Sequence, residues 1–203
     1  MFTRHVYSVY MTSEPTGQRI ARAARTLLET EGASAVTMRR VAGSVRITAM
    51  AVYRHYADRD ALLDALANQG FTELALALDA AILDGNIESR LRKVLNVYLD
   101  FALLHPHLFE LMFLQIRKGA RQFPRDFVAG KSPTGNRFAR LISEGIRQGA
   151  FRKIDVWQVV FESGALLQGL VMLYLGGRVD ATEPQFRKIC HRAIGRYLDG
   201  IRK

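Results

Sequence analysis

The chain has 203 residues, of which 49% are hydrophobic and 24% charged, so its composition is that of a globular protein and excludes a disordered one. Its formal net charge of +10 favours an anionic partner, namely DNA, RNA or an anionic membrane, but carries no information about the fold. The single cysteine, Cys190, excludes an internal disulfide, and its apolar neighbours in the sequence predict a buried structural thiol rather than a redox sensor.

Residues 1–13 precede the first helical pattern. They lack the continuous apolar stretch and the small-residue cleavage site of a signal peptide, and we expect them to form a mobile arm. No apolar run further along the chain comes near the roughly 18 residues that are needed to cross a bilayer. The sequence therefore predicts a cytoplasmic protein with no membrane partner.

Residues 16–83 show helical periodicity with short breaks. The pattern predicts four helices, over residues 16–32, 37–45, 48–56 and 58–83. Thr37, Thr48 and Asp58 stand at predicted helix starts, where a side-chain oxygen can accept a hydrogen bond from a free backbone N–H group. The two middle helices are therefore short and closely spaced.

The rest of the chain continues the helical pattern and shows no convincing strand or repeat. Five more helices are predicted, over residues 87–104, 107–117, 136–148, 154–176 and 183–201. Residues 117–136 contain three glycines and two prolines and carry five basic residues and one acidic one, which predicts a mobile basic loop or an irregular connection. The sequence thus predicts an all-α fold of about nine helices.

The two short helices, 37–45 and 48–56, are separated by only about two residues. This is the spacing of a helix-turn-helix, in which the first helix supports the second against DNA. The same spacing also occurs as a tight corner in a helical bundle, so spacing alone leaves both interpretations open.

The residue types of this segment favour DNA binding. Apolar side chains at Ala49 and Met50 can touch a thymine methyl group, whereas Tyr53, Arg54 and His55 can form hydrogen bonds with phosphates.

Two threonines and three arginines extend the same surface. Thr37 and Thr48 stand at helix starts, where hydroxyl and backbone N–H groups can hold phosphate oxygens. The arginines flank the segment: Arg39, Arg46 and Arg59.

Four stretches of this region resemble the DNA-binding domain of the TetR family. Segments 37–42, 47–48, 52–56 and 59–63 read TMRRVA, IT, VYRHY and RDALL, and the resemblance covers about residues 16–66. The resemblance implies that four side chains grip phosphates: Thr37, Tyr53, His55 and Arg59. It implies that three residues face bases: Thr48, Ala49 and Met50.

Two positions depart from the family pattern. The family commonly has glycine in the turn between the two helices, where this chain has Arg46. If the backbone there is left-handed, a residue other than glycine costs on the order of 1 kcal/mol, and we expect Arg46 to contact DNA in compensation. Arg59 stands where the family usually has lysine, which keeps the charge but changes its geometry.

The resemblance also implies the domain organisation. Residues 14–60 would form the helix-turn-helix DNA-binding domain, called the head below, and residues 61–203 a ligand-binding and dimerisation domain, called the body. The stretch from His105-Pro106 to Met112-Phe113 resembles a motif of one C-terminal subgroup of the family. The expected fold is therefore a three-helix head on a helical body.

The body contains aromatic and methionine side chains at helical spacing, which are typical of a plain core as well as of a ligand pocket. We predict a pocket lined by Tyr98, Phe101, Leu104, His105, Phe109, Met112, Phe113 and Ile116, with Phe138, Trp157, Phe161 and Gln168 opposite. His105 and His107 would offer polar contacts, but without nearby cysteine or carboxylate ligands they make a poor metal site. We expect no metal and no cofactor.

The last two predicted helices suit a dimer interface. Helix 154–176 carries Gly164, Ala165 and Gly169, small residues that let helices approach closely. Paired with helix 183–201 of each subunit, it could build a four-helix interface. Packing against the body of the same subunit is the alternative.

These observations favour a homodimeric regulator that binds double-stranded operator DNA, most simply a repressor released from a palindromic operator by a small, largely apolar effector. An enzyme is not expected, because the sequence contains no glycine-rich phosphate loop, nucleophile elbow or metal cluster. A basic helical protein that binds nucleic acid or membranes without specificity is the alternative that the charge permits.

Overall fold

The computed structural model describes residues 14–81 and 84–203, so the predicted N-terminal arm, residues 1–13, lies outside the described residues. The α-helices are α1 (Thr16–Glu31), α2 (Met38–Ser44), α3 (Ala49–Tyr53), α4 (Arg59–Ala81), α5 (Ile87–Leu104), α6 (Pro106–Phe113), α7 (Arg125–Val128), α8 (Pro133–Arg147), α9 (Val156–Leu175) and α10 (Glu183–Asp199). A short 3-10 helix, Ala33–Ala35, follows α1. The described residues contain no named strand, which confirms the all-α prediction, with ten α-helices instead of about nine.

The additional helix, α7, lies in the segment that the sequence predicts to be a basic loop. Its Asp126 is buried and accepts hydrogen bonds from the Gln122 backbone N–H (2.9 Å) and from the Arg125 guanidinium (3.0 Å). These contacts hold the pKa of the Asp126 carboxyl well below its usual range. One buried carboxylate therefore orders part of a segment whose glycines and prolines predict irregular structure.

The neighbouring helix ends also differ from the predicted bounds. Helix α6 ends at Phe113, because Arg117 leaves the helix and donates to the terminal carbonyls of Leu111 (3.0 Å) and Met112 (3.3 Å). Helix α8 begins earlier than predicted, at Pro133, and its N-cap Ser132 accepts from the Gly135 backbone N–H at 3.2 Å. Both ends are set by side chains that reach backbone groups.

The head packs α1 against α2 and α3 around small and branched apolar side chains. Its fully or nearly buried residues are Ile20, Ala24, Leu27, Leu28, Met38, Val41, Ala42 and Val52. The three predicted N-caps are confirmed: Thr37 accepts from Arg40, Thr48 from Ala51 and Asp58 from Ala61, the last at 2.7 Å.

The 23-residue helix α4 connects head and body. It packs against α1 and also against α5, α6 and α8. At the other side of the body α9 and α10 pack together, with Tyr174 and Phe186 stacked at 4.1 Å. Cys190 of α10 is fully buried, and burial raises the pKa of its thiol to about 11, in agreement with the predicted structural role.

Helix α9 corrects one expectation from the sequence. Val156–Leu175 is long and apolar enough, by length and composition, to cross a membrane, with a mean hydropathy of 1.4 in its most apolar window. Only 28% of that window is buried within the subunit. The exposed apolar side chains of this helix are Phe161, Leu166, Met172, Leu173 and Leu175. Core and interface helices can have the same length and composition, so these two properties alone do not define a membrane span.

Candidate DNA-binding and ligand-binding sites

The turn between α2 and α3 is tightly fixed. Among the described residues, Arg46 is the non-glycine residue with a positive φ, at 56°, so the left-handed turn that the sequence suggested is present. The Ile47 N–H donates to Ala42 O (3.0 Å), and the Arg19 guanidinium on α1 donates to Val45 O (2.8 Å). The Arg46 side chain is exposed, so its charge faces solvent beside the recognition segment.

Helix α3 turns one side chain inward and the others outward. Val52 is fully buried, whereas Met50 is 67% and Tyr53 47% exposed. Arg54 and His55 are exposed as well, and Ala49 is half-buried. Helix α3 and the two residues after it therefore present one accessible surface, which contains Met50, Tyr53, Arg54 and His55.

The two cap threonines differ in accessibility. Thr48 is exposed at the start of α3, whereas Thr37 is half-buried at the start of α2. Arg39 is exposed, but its neighbour Arg40 pairs with Glu31 at 2.6 Å. Both arginines are exposed, and Arg40 is the one that is engaged in an ion pair within the head.

Arg59 has a structural position. Its Nε donates to Val36 O (2.7 Å) and its Nη2 donates to Ala33 O (2.5 Å), so the guanidinium ties the start of α4 to the segment between α1 and α2. A lysine has no fork of donors that could hold two carbonyls in this way. Any phosphate contact of Arg59 is left to its remaining nitrogen.

The body contains a partly open cavity of about 410 Å³ between α4, α5, α6, α8, α9 and α10. This volume lies within the range of small-molecule pockets. Six of the predicted pocket residues line it: Tyr98, Met112, Phe113, Phe138, Phe161 and Gln168.

The other six predicted pocket residues lie outside the lining. Phe109 is fully buried directly behind it, against Phe113 at 4.7 Å, and Phe101 is buried against His105. Leu104 and Ile116 are exposed, because α5 ends at the former and α6 ends before the latter. His105 pairs with Glu29, and Trp157 lies in a separate surface groove.

Sequence reasoning missed the contributions of α4 and of the connection between α6 and α8. The residues from these parts include Phe71, Leu78, Arg117, Arg121, Phe123 and Phe127. Phe123 stacks on Phe161 at 4.2 Å, so the connection forms one wall of the cavity. The phenylalanines in an otherwise basic, glycine-rich segment were the signal in the sequence that could have indicated this wall.

A network of ion pairs joins the head to the body beside α4. Arg25 on α1 contacts Glu29 (2.8 Å) and Glu73 of α4 (3.2 Å), and His105 at the end of α5 contacts Glu29 at 2.8 Å. Burial would raise the pKa of the Glu29 carboxyl, but Arg25 and His105 outweigh it and the pKa is lowered. The network therefore spans three helices across the boundary between the predicted domains.

Metal ligation has no support in the described part of the chain. Within residues 14–81 and 84–203, no group of three or more histidine, cysteine, aspartate or glutamate side chains is arranged to hold an ion.

Two family models that describe parts of one family match the N-terminal and the C-terminal parts of the chain. The family model described as "Tetracyclin repressor-like, C-terminal domain" matches residues 91–197, more than half of the chain. The model described as "Bacterial regulatory proteins, tetR family" matches residues 20–66. A search of curated proteins found no match.

Solved structures share the fold at low sequence identity. A Rhodococcus sp. RHA1 protein of unknown function is similar with a TM-score of 0.79 and 24% identity, over 96% of this chain and 100% of that one. A tetR-family regulatory protein of the same organism gives 0.66 and 21%, over 93% and 98% of the two chains. The fatty acid degradation regulator FadR from Bacillus halodurans gives 0.70 and 15%, over 91% and 99%.

Proposed function

The chain belongs to the TetR family of DNA-binding transcription regulators, and from that premise we propose that it is a homodimeric repressor that a small, largely apolar molecule releases from a palindromic operator. The head would read the operator, and the body would bind the effector and form the dimer. As a regulator of this family it would act in the cytoplasm without enzymatic activity or a cofactor.

One observation carries the proposal: a single helix, α4, reaches both candidate sites. Its first residue, Arg59, holds the segment between α1 and α2, and its Phe71 and Leu78 line the cavity. A molecule that fills the cavity therefore touches the helix that positions the head. Ligand binding can shift an equilibrium between two head orientations if it favours one of them.

The DNA contacts that we propose follow from the accessible surface of α3. Thr48, Ala49 and Met50 would lie against base edges, as expected for the N-terminal residues of a recognition helix. Phosphates would be held by residues on either side: Thr37, Arg39, Arg46, Tyr53, Arg54, His55 and Arg59.

Dimerisation is supported by the apolar surface of α9. This surface is large for a free helix of a water-soluble protein, and a second copy of α9 and α10 would cover it in a four-helix interface. A dimer presents two heads to DNA. An operator with two-fold symmetry, with half-sites about one helical turn or somewhat more apart, would match them.

Selection of genomic DNA fragments by the purified protein at about 150 mM salt tests this proposal, because salt weakens non-specific phosphate binding. We expect a short inverted repeat to be enriched. If random DNA displaces the enriched repeat from the protein as well as the repeat itself does, the result would support non-specific nucleic-acid binding and contradict the proposal.

The effector claim has its own test. Fluorescence anisotropy of the selected operator is measured with and without saturating amounts of a compound that binds the cavity. We expect a fall in operator affinity of about 5- to 150-fold, the usual range of allosteric coupling. Unchanged affinity would contradict release by ligand while leaving the DNA-binding function intact.

A further inference from the structure

Two arginines line the same wall of the cavity but differ in how their donors are used. Each nitrogen of Arg117 donates within the fold: Nη1 to Asp64 (2.6 Å), Nε to Leu111 O and Nη2 to Met112 O. Its charge is paired with Asp64, and its side chain is only 6% exposed. Arg117 thus serves the structure of the wall.

Arg121 is incompletely satisfied. Its Nε donates to Lys131 O (2.6 Å) and its Nη2 to Asn68 Oδ1 (3.2 Å), but its buried Nη1 has no hydrogen-bond partner among residues 14–81 and 84–203. The charge of Asp126 acts on this guanidinium, yet that carboxylate forms its ion pairs with Arg125 and Lys131. Arg121 is therefore a partly buried cation without an ion pair in the described chain.

Burial makes this cation costly, and burial is the main cause that lowers its pKa. Its guanidinium lies 4.8 Å from the centroid of the Phe71 ring, a cation–π contact that offsets part of this cost but supplies no opposite charge. Phe71 and Phe123 line the same cavity. A charge in an apolar environment is unfavourable unless an opposite charge accompanies it, and a guanidinium suits the two oxygens of a carboxylate.

The other unpartnered polar atom of the lining is neutral. The side chain of Tyr98 is half-buried, but its Oη is buried beside Gln168 without a hydrogen-bond partner in the described chain, and burial raises the pKa of its hydroxyl. The hydroxyl therefore stays protonated and does not select for ligand charge. Within the described lining, charge selection falls to Arg121.

We propose that the effector is an amphipathic organic anion, whose apolar body fills the phenylalanine-lined cavity and whose oxyanion pairs with Arg121. This inference rests on the proposed function, since it assigns a chemical class to the same ligand site. The effector of the proposed function would thus carry a carboxylate-like group in addition to its apolar part.

Two fluorescent probes with one scaffold test the charge requirement on the full-length protein. 8-Anilino-1-naphthalenesulfonate carries an anionic sulfonate, and N-phenyl-1-naphthylamine is the same ring system without it. Dissociation constants of both are measured for the wild type and for Arg121→Met, Arg121→Lys and Lys118→Met. Lys118 is exposed on the same connection and does not line the cavity, so its variant controls for the loss of one positive charge.

We expect Arg121→Met to weaken binding of the sulfonate by about 10- to 100-fold, the range for a charge-assisted hydrogen bond. Binding of the uncharged probe should change less than about 2-fold. Arg121→Lys should recover part of the sulfonate affinity, and Lys118→Met should resemble the wild type.

Three results would overturn the proposal. Equal weakening of both probes by Arg121→Met would assign Arg121 to the structure of the wall. No effect on either probe would remove it from ligand recognition, while the apolar pocket of the proposed function would stand. Failure of both probes to bind the wild type would contradict the pocket itself, and with it this inference.

Discussion

Arg46 stands at the one described position where an ordinary side chain adopts a left-handed backbone. Its φ of 56° follows from the tight connection of α2 to α3, where the Arg46 and Ile47 N–H groups donate to Gly43 O and Ala42 O. A glycine would fit this conformation without steric cost. The presence of arginine at this position is explained if its side chain contacts DNA instead of other parts of the protein.

Replacement of Arg46 separates its effect on stability from its effect on DNA binding. Arg46→Gly should raise the free energy of unfolding by up to about 1 kcal/mol, because the steric cost of the left-handed backbone is removed. Operator affinity should fall, and the slope of log affinity against log salt should decrease by about 1, the signature of a lost phosphate contact. Thermal unfolding measures the change in stability, and fluorescence anisotropy titrations at several salt concentrations measure the operator affinity and its salt slope.

Arg46→Asn is the matched control, since asparagine tolerates the left-handed region and carries no charge. It should reproduce the loss in salt dependence with a smaller gain in stability. An unchanged salt slope in both variants would show that Arg46 does not touch the DNA.

Arg59 gives the opposite expectation, because its donors are used within the fold. Arg59→Met should lower the free energy of unfolding by about 1–3 kcal/mol, as two hydrogen bonds to Val36 O and Ala33 O are lost. Arg59→Lys should lose roughly half as much, because an ammonium cannot hold both carbonyls in the same geometry. Chemical denaturation monitored by circular dichroism is the measurement, and equal stability of all three proteins would refute the structural role.

Single residues also show which features the sequence can predict. Caps such as Thr37 and Thr48 are predictable, since each acts on a backbone N–H three residues away. The left-handed turn at Arg46 is indicated by the family resemblance, because the family commonly has glycine at this position. Arg121 is not, because its unpartnered donor depends on where the whole connection folds against α4.

At the level of elements, the helices around the cavity explain why half of its predicted lining is found there. Of the α5 residues that line the cavity, Leu91, Val94, Leu95 and Tyr98 have helical spacing, but the predicted lining includes only Tyr98. The end of α5 at Leu104 is predicted correctly, yet Leu104 lies outside the cavity lining, and the pattern does not reveal that α6 ends before Ile116. The wall that Phe123 and Phe127 provide is marked in the sequence only by phenylalanines in a basic segment, because its position depends on tertiary packing.

The ion-pair network between α1, α4 and α5 links elements of the proposed ligand site and of the proposed DNA-binding site. Glu29→Gln keeps the size of the side chain but removes its charge toward Arg25 and His105. We expect operator affinity without ligand to change little. The ratio of affinities without and with ligand should fall about 2- to 5-fold, since these groups are partly exposed and each pair is weak.

The same link has a pH dependence of definite sign. The pKa of Glu29 is lowered in the folded chain, so its contribution is present above the pKa of the unfolded chain and is lost as the pH falls through the folded value. Coupling in the wild type should therefore weaken on acidification below about pH 4.5, the usual value for this carboxyl. Glu29→Gln should lose this dependence, and Glu14→Gln, at an exposed pair with Arg22, should keep it.

At the scale of the whole molecule, the apolar face of α9 is the feature that a single subunit leaves exposed. A helix with Glu162 as its one charged residue remains mostly uncovered in a single subunit. Tyr197 of α10 donates to that glutamate at 2.7 Å, so even its charge is held at the junction of α9 and α10. A second subunit, as proposed above, would cover the exposed face and would give the protein the two heads that a symmetric operator needs.

Leu173→Glu places a charge on this face, where Leu173 is 43% exposed in the isolated subunit. If the face is buried between two subunits, the dimer dissociation constant should rise roughly 100-fold or more, because an unpaired carboxylate would be buried. Sedimentation velocity should show a monomer that retains its helical circular dichroism spectrum, and operator affinity should fall to that of one head on one half-site. Leu76→Glu, which places the same charge at an exposed leucine of α4, should remain dimeric. A dimer that persists in Leu173→Glu would move the interface elsewhere and leave the apolar face of α9 for a different partner.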